Sequence, residues 1–183
     1  RGWINRNRIL NAQKESIYIH IPVEKAPRAT KIKHILINHS SNWKENIFYQ
    51  LHYYHKAHNY AFVMDFLDEC FDSGMTSISE LNTILLKKVC ELLAIDTKIT
   101  VLSKELPMIT EATEADEWGI QVAKALKATT YINAIGGIDF YNEQKYCANN
   151  LAIQFIQPNL KSYKQYNHIF IPGLSIIDVL MFN

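Results

Sequence analysis

The chain has 183 residues, the size of one domain that is large enough to bury most of its apolar surface. Its 19 Lys and Arg nearly balance its 18 Asp and Glu, so its charge favours neither nucleic acid nor an anionic membrane. Cys70, Cys90 and Cys147 lack metal-ligand spacing and indicate reduced thiols in a cytoplasmic protein. No apolar run reaches the roughly 20 residues of a membrane span. We expect a single domain over residues 1–183, cut from a longer protein at both ends.

An arginine run opens the chain, with Arg1, Arg6 and Arg8 inside the sequence RGWINRNR. Strand alternation predicts Asn5 and Asn7 on one side and Arg6 and Arg8 on the other. A guanidinium binds phosphate or carboxylate through two-point contacts, and asparagine orients hydroxyl or amide groups beside it. The run predicts either one wall of an anion site or a solvated edge held by salt bridges.

The next elements are two strands and a helical block. The β-rich runs at 17–21 and 32–37 predict two neighbouring strands. Apolar residues then recur at helical spacing between 43 and 71, which predicts a helical block. Ser77 and Glu80 have capping-box spacing and predict the start of a third helix.

The later half alternates between strand and helix patterns. We predict strands at 98–102, 129–133 and 151–156, with helices at 115–127 and 140–148 between them. This order predicts a parallel β-α-β-α-β portion. The predicted class is α/β, with one mixed sheet, a central helical block and three layers.

Two further pairs have capping-box spacing. Thr113 with Asp116 predicts the start of a helix, and Ser175 with Asp178 predicts the start of a final helix over 174–182. Asp178 is therefore interpreted as a cap and not as a catalytic group. The polar and aromatic stretch 158–172 is predicted to be a loop.

Parallel sheets bind ligands at the carboxyl ends of their strands, where loops and helix starts converge. Ser103 and Asp139 there are candidates for polar or proton-transfer roles. The paired glycines Gly136 and Gly137 could bring backbone N–H groups close to an anion, or could mark a tight turn that needs positive φ. This rule selects Ser103, Asn133, Gly136, Gly137, Asp139 and Tyr141.

Two histidines could lie on one helix face, an arrangement that metal sites use. His52 and His55 are three residues apart, but neither a carboxylate nor a cysteine at ligand spacing completes a set. We predict no metal site.

Five sequence blocks together resemble the WbqC-like protein family. They are WINRNRI at 3–9, IPV at 21–23, SELN at 79–82, YINAIGGIDFY at 131–141 and FIPGLSIIDVL at 170–180. Two features depart from the family pattern. Its first segment, a strand followed by a Gln-Pro and aromatic-rich turn, has no counterpart here. Ala134 and Ile135 stand where the family turn has Gly-Pro, and the bulky Ile135 argues against a close phosphate cradle there.

The resemblance implies a role in bacterial O-antigen, lipopolysaccharide or other surface-polysaccharide biosynthesis. We expect an enzyme that transfers an acyl or aminoacyl group to a nucleotide-activated sugar. Arg6 and Arg8 would hold phosphate, and Asn5 and Asn7 would orient sugar or amide groups. The resemblance identifies no cofactor.

Two other functions remain open. The chain could be a non-catalytic binding or scaffold protein that passes an acyl carrier protein or a sugar intermediate to a partner enzyme. Tyr53, Tyr54 and Tyr60 would then belong to a partner surface. A metal-dependent hydrolase would instead use His52 and His55.

Overall fold

A computed structural model describes residues 3–72, 74–109, 111–166 and 169–183. The chain divides into two compact units, and the single domain therefore stays a prediction. The first unit combines Arg1–Thr97 with Leu160–Asn183, and the second unit is Lys98–Asn159. Arg1 itself lies outside the described residues.

The first unit opens with an antiparallel hairpin. Strand β1 is Arg6–Leu10 and strand β2 is Ser16–His20. Ile9 pairs with Ile17, and Asn7 pairs with Ile19. Since directly opposite residues of an antiparallel pair share a face, the isoleucines form one apolar face. This pairing confirms the alternation predicted for both segments.

The predicted strand at 32–37 is wrong. Ile32–His34 is a 3-10 turn, closed by the N–H of Ile35 donating to the carbonyl of Ile32 at 3.0 Å. Beyond it, Leu36 and Ile37 make only isolated bridges, to Ser77 and Val23. The run is β-rich, but it has no continuous partner strand.

Three helices confirm the predicted helical block and the third helix predicted after it. They are α1 Trp43–Leu51, α2 Tyr60–Phe71 and α3 Ile78–Leu92. The α2 residues Val63, Leu67 and Cys70 are buried at the spacing of one helix face. Ser77 caps α3 as predicted, and its hydroxyl accepts the N–H of Ser79 at 3.2 Å.

One apolar core fills the first unit. The hairpin contributes Ile9, Leu10 and Ile19, and the helices contribute residues such as Leu51 and Leu81. The last helix, α7 Ile176–Phe182, adds Ile177 and Met181 to the same core. Residues separated by most of the chain therefore share one interior.

The first element of the second unit differs from the predicted one. The predicted strand at 98–102 is absent, and Leu102–Glu105 forms a short helix, α4. The Glu105 carboxylate accepts the N–H of Val101 at 2.8 Å. This local hydrogen bond turns the chain into a helix after a β-rich run that has no strand partner.

The remaining alternation is confirmed. Helix α5 is Glu117–Ala125 and helix α6 is Glu143–Ala148. Strands β3 Thr130–Ala134 and β4 Ala152–Ile156 pair in parallel, with α6 between them in the chain. The described strands thus form two separate two-stranded sheets and not one mixed sheet. The mixed α/β class holds, and the three-layer arrangement stays a prediction.

The capping box predicted for α5 is wrong in its chemistry. The Asp116 side chain makes no capping hydrogen bond. The carboxylate of Glu117 instead accepts the N–H groups of Thr113 at 2.7 Å and Glu114 at 3.2 Å. A glutamate in the first turn therefore satisfies these donors.

None of the described helices combines the length and the apolar character needed to cross a bilayer.

Candidate functional site

The hairpin sorts the opening run into two faces. Arg6 pairs with His20, and Arg8 pairs with Tyr18, so these four residues share one face. Asn7 pairs with Ile19 on the opposite face. The predicted separation of arginines from asparagines therefore holds along β1.

The arginine face is built around a cation between two aromatic rings. The guanidinium carbon of Arg6 lies 4.8 Å from the ring centroids of both Trp3 and Tyr18. These contacts hold the charge in place by cation–π attraction. The Arg6 Nε is buried and has no hydrogen-bond partner among the described residues. An anion that reached this guanidinium would find it already oriented.

Arg8 is held by the chain near the final helix. Its Nη2 donates to the carbonyl of Gly173 at 2.7 Å. Gly173 has φ +69, and an added Cβ would lie 3.1 Å from the Arg8 Nη2. Glycine thus permits both the left-handed backbone and the close approach.

Two side-chain amides, those of Asn5 and Asn82, donate hydrogen bonds to the backbone beside β1. The Asn5 Nδ2 donates to the carbonyl of Ile21 at 2.9 Å. The Asn82 Nδ2, from α3, donates to the carbonyl of Ile4 at 2.7 Å. The two carboxamides therefore flank the same stretch of backbone.

A cavity of about 550 Å³ opens beside these amides, within the first unit. Ligand sites commonly occupy about 300 to 1,000 Å³, are lined mainly by apolar groups and carry a few fixed polar groups. Helices α2, α3 and α7 supply its apolar wall, which includes Val63, Leu67, Leu85, Val89, Ile177 and Leu180.

Some of the predicted site residues of the first unit line this cavity, and one does not. Asn5, Arg6 and Asn7 belong to its wall, whereas Arg8 is not among the wall residues that the structure describes. Sequence reasoning did not select Trp3 and Asn82 as site residues, although both also line the cavity.

The sequence blocks that resemble the WbqC-like family contained the missing signal. Four of the five blocks contribute to the wall of this cavity, through residues such as Trp3, Ile21, Asn82 and Ser175. The fifth block, 131–141, lies in the second unit. Attention to the shared blocks, and not only to charged residues, would have found Asn82.

Three other predicted site residues lie together in the second unit. An added Cβ on Gly137 would lie 3.0 Å from the Asn133 Nδ2 and 3.2 Å from the Tyr141 ring. The hydroxyls of Tyr131 and Tyr141 are 3.3 Å apart. Neither Gly136 nor Gly137 has positive φ, because both lie in the 3-10 helix Ile135–Phe140. The interpretation as a turn requiring positive φ is therefore wrong.

The remaining predicted residues of this unit face solvent. Ser103 on α4, Gly136 and Asp139 are all exposed. Because the arginine run and the glycine pair belong to different units, a site shared by both stays a prediction.

Asp178 does not cap the final helix, which corrects the prediction. The Ser175 hydroxyl accepts the N–H of Ile177 at 3.3 Å, and the Ser175 N–H donates to the carbonyl of Arg8 at 2.8 Å. The Ser175 N–H is thus already paired and cannot serve the Asp178 carboxylate as a capping box requires.

The Asp178 carboxylate is instead fully buried inside the first unit. Its Oδ2 accepts from the Tyr54 hydroxyl at 2.7 Å. Its Oδ1 accepts from the Tyr163 hydroxyl at 2.5 Å and from the Gln165 Nε2 at 2.9 Å. Burial, followed by the hydrogen bond to Asp178, raises the pKa of Tyr54 far above its usual value. This hydroxyl is therefore a fixed donor.

The predicted tyrosine surface is also wrong. Tyr54 is completely buried, and Tyr53 and Tyr60 are partly buried against the same core. Their rings pack inward because the chain turns at His52–Tyr54 and again before α2.

The histidine pair and the cysteines have distinct surroundings. The rings of His52 and His55 stack with centroids 4.9 Å apart. Within the described ranges, no three His, Cys, Asp or Glu residues form a metal-binding group. Cys70 is buried and Cys147 is exposed, whereas Cys90 is partly exposed and lines the cavity.

Comparison with known proteins places the chain in a family. No solved structure matches it. It is 28% identical over 197 residues to Uncharacterized protein Rv1507c of Mycobacterium tuberculosis, an alignment that covers 98% of this chain and 77% of that relative. The model of the WbqC-like protein family matches residues 1–183. The chain belongs to the WbqC-like protein family.

Proposed function

We propose that this protein acts in the cytoplasm in bacterial surface-polysaccharide biosynthesis, as in O-antigen assembly, and transfers an acyl or aminoacyl group to a nucleotide-activated sugar. In this reaction an oxygen or nitrogen of the sugar bonds to the acyl carbon. The bond from that carbon to the donor's carrier breaks, and the displaced proton leaves with the carrier. Such an enzyme needs one surface for phosphate and another for the acyl group.

The two-sided chemistry of the β1 region carries this proposal. One face holds Arg6 and Arg8, whose guanidinium groups suit phosphate. The other face holds Asn7 above an apolar cavity. Trp3 and Arg6 join the two surfaces, because the Arg6 guanidinium contacts the Trp3 ring and both residues also line the cavity. Phosphate and acyl group could therefore approach one another near Trp3.

Each residue then has a defined role. Arg6 and Arg8 would hold the phosphates of the activated sugar, and Asn5 and Asn7 would orient its hydroxyl or amide groups. Residues of the second unit would contribute as well. Backbone N–H groups of Gly136 and Gly137, with Asn133 and Tyr141, would contact the ligand, and Ser103 and Asp139 would serve polar or proton-transfer steps.

A nucleotide-sugar screen tests the ligand assignment. Thermal shift and calorimetry would compare the wild-type chain with Arg6→Gln and Arg8→Gln. We expect one nucleotide sugar to stabilise the wild type, and each variant to bind it about tenfold more weakly, because a charge-assisted contact is lost. The matched control is Arg28→Gln, since Arg28 is an exposed arginine outside the cavity wall.

Turnover would then be measured by mass spectrometry with acyl thioesters and the nucleotide sugar that binds. An acylated sugar is the expected product. Failure of every nucleotide sugar to stabilise the protein, with both arginine variants unchanged, would overturn the ligand assignment.

A non-catalytic binding role is the second candidate. It is favoured by the fixed carboxamides of Asn5 and Asn82, because preorganised hydrogen-bonding groups suit recognition and transfer to a partner enzyme. An acyl carrier protein would be the natural partner for a bound acyl chain. Tight binding of sugar and acyl ligands without any turnover would support this role.

A further inference from the structure

The cavity of the first unit has an apolar interior beneath an amide rim. Its deeper wall comes from the core-facing sides of α2, α3 and α7, with Val63, Leu67 and Leu180 among its residues. Aliphatic surface gains about 25 cal/mol for each Å² removed from water. A hydrocarbon chain therefore suits this interior better than a polar ring does.

The rim selects for the polar group at the end of such a chain. Only the nitrogen of a carboxamide can donate to a carbonyl oxygen. The contacts of Asn5 with the Ile21 carbonyl and of Asn82 with the Ile4 carbonyl therefore fix the orientation of both amides. Beyond these bonds, each carboxamide has an acceptor, Oδ1, and a second N–H with which to bind a ligand that carries an amide.

The Oδ1 acceptors of Asn5 and Asn82 favour a ligand group that donates a hydrogen bond. An amide N–H would pair with the Oδ1 of Asn5 or Asn82, whereas a carboxylate at the same place would meet oxygen with oxygen. The wall residues that the structure describes include no lysine, aspartate or glutamate, and their one arginine, Arg6, lies between the Trp3 and Tyr18 rings. A carboxylate would therefore find its partner at Arg6, whereas an amide N–H finds its partner at Asn5 or Asn82.

We infer that this cavity binds an aliphatic acyl amide, with the chain among the side chains of α2, α3 and α7 and the amide N–H at Asn5 and Asn82. The inference rests on the proposed function, because an acyl amide is the product when an acyl group is transferred to the amine of a sugar. It deepens that function by choosing an aliphatic acyl group over an aminoacyl group, whose ammonium would have to enter an apolar wall.

Cys90 provides an internal reporter for this cavity. It lines the wall, while Cys147 is exposed in the second unit and Cys70 is buried. A bound chain would shield the Cys90 thiol from iodoacetamide and leave Cys147 reactive. Peptide mass spectrometry would measure both rates in the same sample.

The test uses the full chain and a series of simple amides. N-methylbutanamide, N-methylhexanamide and N-methyloctanamide would be compared by calorimetry and by protection of Cys90. Because each buried CH₂ contributes about 0.8 kcal/mol, we expect about fifteenfold tighter binding for each two-carbon step. N,N-dimethyloctanamide lacks the N–H and should bind about fivefold more weakly than N-methyloctanamide.

A matched pair of variants locates the chain. Leu86 is exposed at the cavity wall, and Leu86→Trp should abolish the chain-length dependence by filling the opening. Leu93 is similarly exposed but is not among the described wall residues, so Leu93→Trp should bind like the wild type. If Leu86→Trp fails to fold, the wild-type ligand series decides the inference alone.

Three results would overturn the inference: affinity independent of chain length, equal affinity for the N-methyl and N,N-dimethyl amides, or equal protection of Cys90 and Cys147. Chain-dependent binding without any nucleotide-sugar binding would uphold this site and reject the proposed transfer reaction. Turnover without chain-dependent binding would uphold the proposed transfer reaction and reject this site.

Discussion

Two buried carboxylates, one in each unit, are satisfied by different chemistry. In the first unit, Asp178 accepts hydrogen bonds from two tyrosine hydroxyls and a glutamine amide. In the second unit, Asp116 is 3% exposed and accepts from the Lys145 ammonium at 3.0 Å. A buried carboxyl group is thus satisfied by neutral donors in one unit and by an opposite charge in the other.

The difference follows from the depth of each core. Asp178 lies within a large apolar core where fixed side chains from distant segments can converge. The second unit has a small core of Ile120, Ala123, Tyr146 and Leu151, so Asp116 stays within reach of a partly exposed lysine. Neutral networks depend on precise packing, whereas ion pairs near the surface tolerate movement but respond to salt and pH.

Removal of the buried carboxylate should have the largest effect. Asp178→Ala leaves the hydroxyls of Tyr54 and Tyr163 without the carboxylate to which they donate inside the first unit. We expect a loss of about 4 kcal/mol in the free energy of unfolding. Urea titration followed by the fluorescence of Trp43, a buried residue of this unit, would measure it.

The control for this change is Asp65→Ala on the exposed face of α2. Its effect should stay within about 0.5 kcal/mol. A similarly small loss in Asp178→Ala would mean that the network does not stabilise the first unit.

Overpacking of the small core should come next. An added Cβ on Gly119 would clash with the Tyr146 hydroxyl and lie 2.8 Å from the Tyr131 Cζ. Tyr146 cannot move easily, because its hydroxyl donates to the Asp116 carbonyl at 2.9 Å. Gly119→Ala should destabilise the second unit by about 3 kcal/mol.

Hydrogen exchange of the α5 and β3 amides would report this loss. Gly136→Ala provides the matched control, since its added Cβ would meet no atom within 4 Å. Equal exchange in both variants would show that the second unit can repack around Gly119.

Adjacent tyrosines allow a sharper test of the neutral network. Tyr54→Phe removes the partner of Asp178 and of the Leu10 N–H, which donates to Tyr54 at 2.8 Å. We expect a loss of about 2 kcal/mol. The Tyr53 hydroxyl is buried with no hydrogen-bond partner among the described residues, so Tyr53→Phe should be neutral or slightly stabilising. Thermal unfolding would compare them, and a reversed order would contradict the network.

Acid should weaken the ion pairs of the second unit. Burial opposes ionisation of Asp116, but hydrogen bonds from Lys145 and the Asn142 N–H outweigh it and lower the pKa from its usual 3.8. Hydrogen bonds from the N–H groups of Thr113 and Glu114, and then from Lys145, lower the pKa of Glu117 from its usual 4.5. Carboxyls with lowered pKa stabilise the folded state above the unfolded pKa and lose this contribution as pH falls through the folded pKa.

Lys145→Met should therefore be less stable than the wild type at pH near 7. The difference should shrink below about pH 4, because protonated carboxyls no longer attract the ammonium. This is the smallest predicted effect, and urea titrations of the second unit across this range would measure it. The control is Lys98→Met, at an exposed lysine of the same unit. A difference between wild type and Lys145→Met that is constant with pH would contradict the assignment.

Local pattern was enough where a segment follows its own periodicity. The stripe that buries Val63 and Leu67, the Ser77 cap and the two faces of β1 all follow from spacing within a few residues. The same reasoning failed at 32–37 and 98–102, where strand-like composition met no continuous partner strand. Strand formation needs a neighbour, and composition does not supply one.

The sequence by itself determined the family, the main helices and the separation of arginines from asparagines. Only the tertiary structure decided that Asp178 is a buried acceptor, that Asn82 lies beside Asn5, and that an apolar cavity lies next to the amides. Tyr54 and Asp178 are 124 residues apart in the chain. Contacts over such separations depend on how whole helices pack, and no local spacing encodes them.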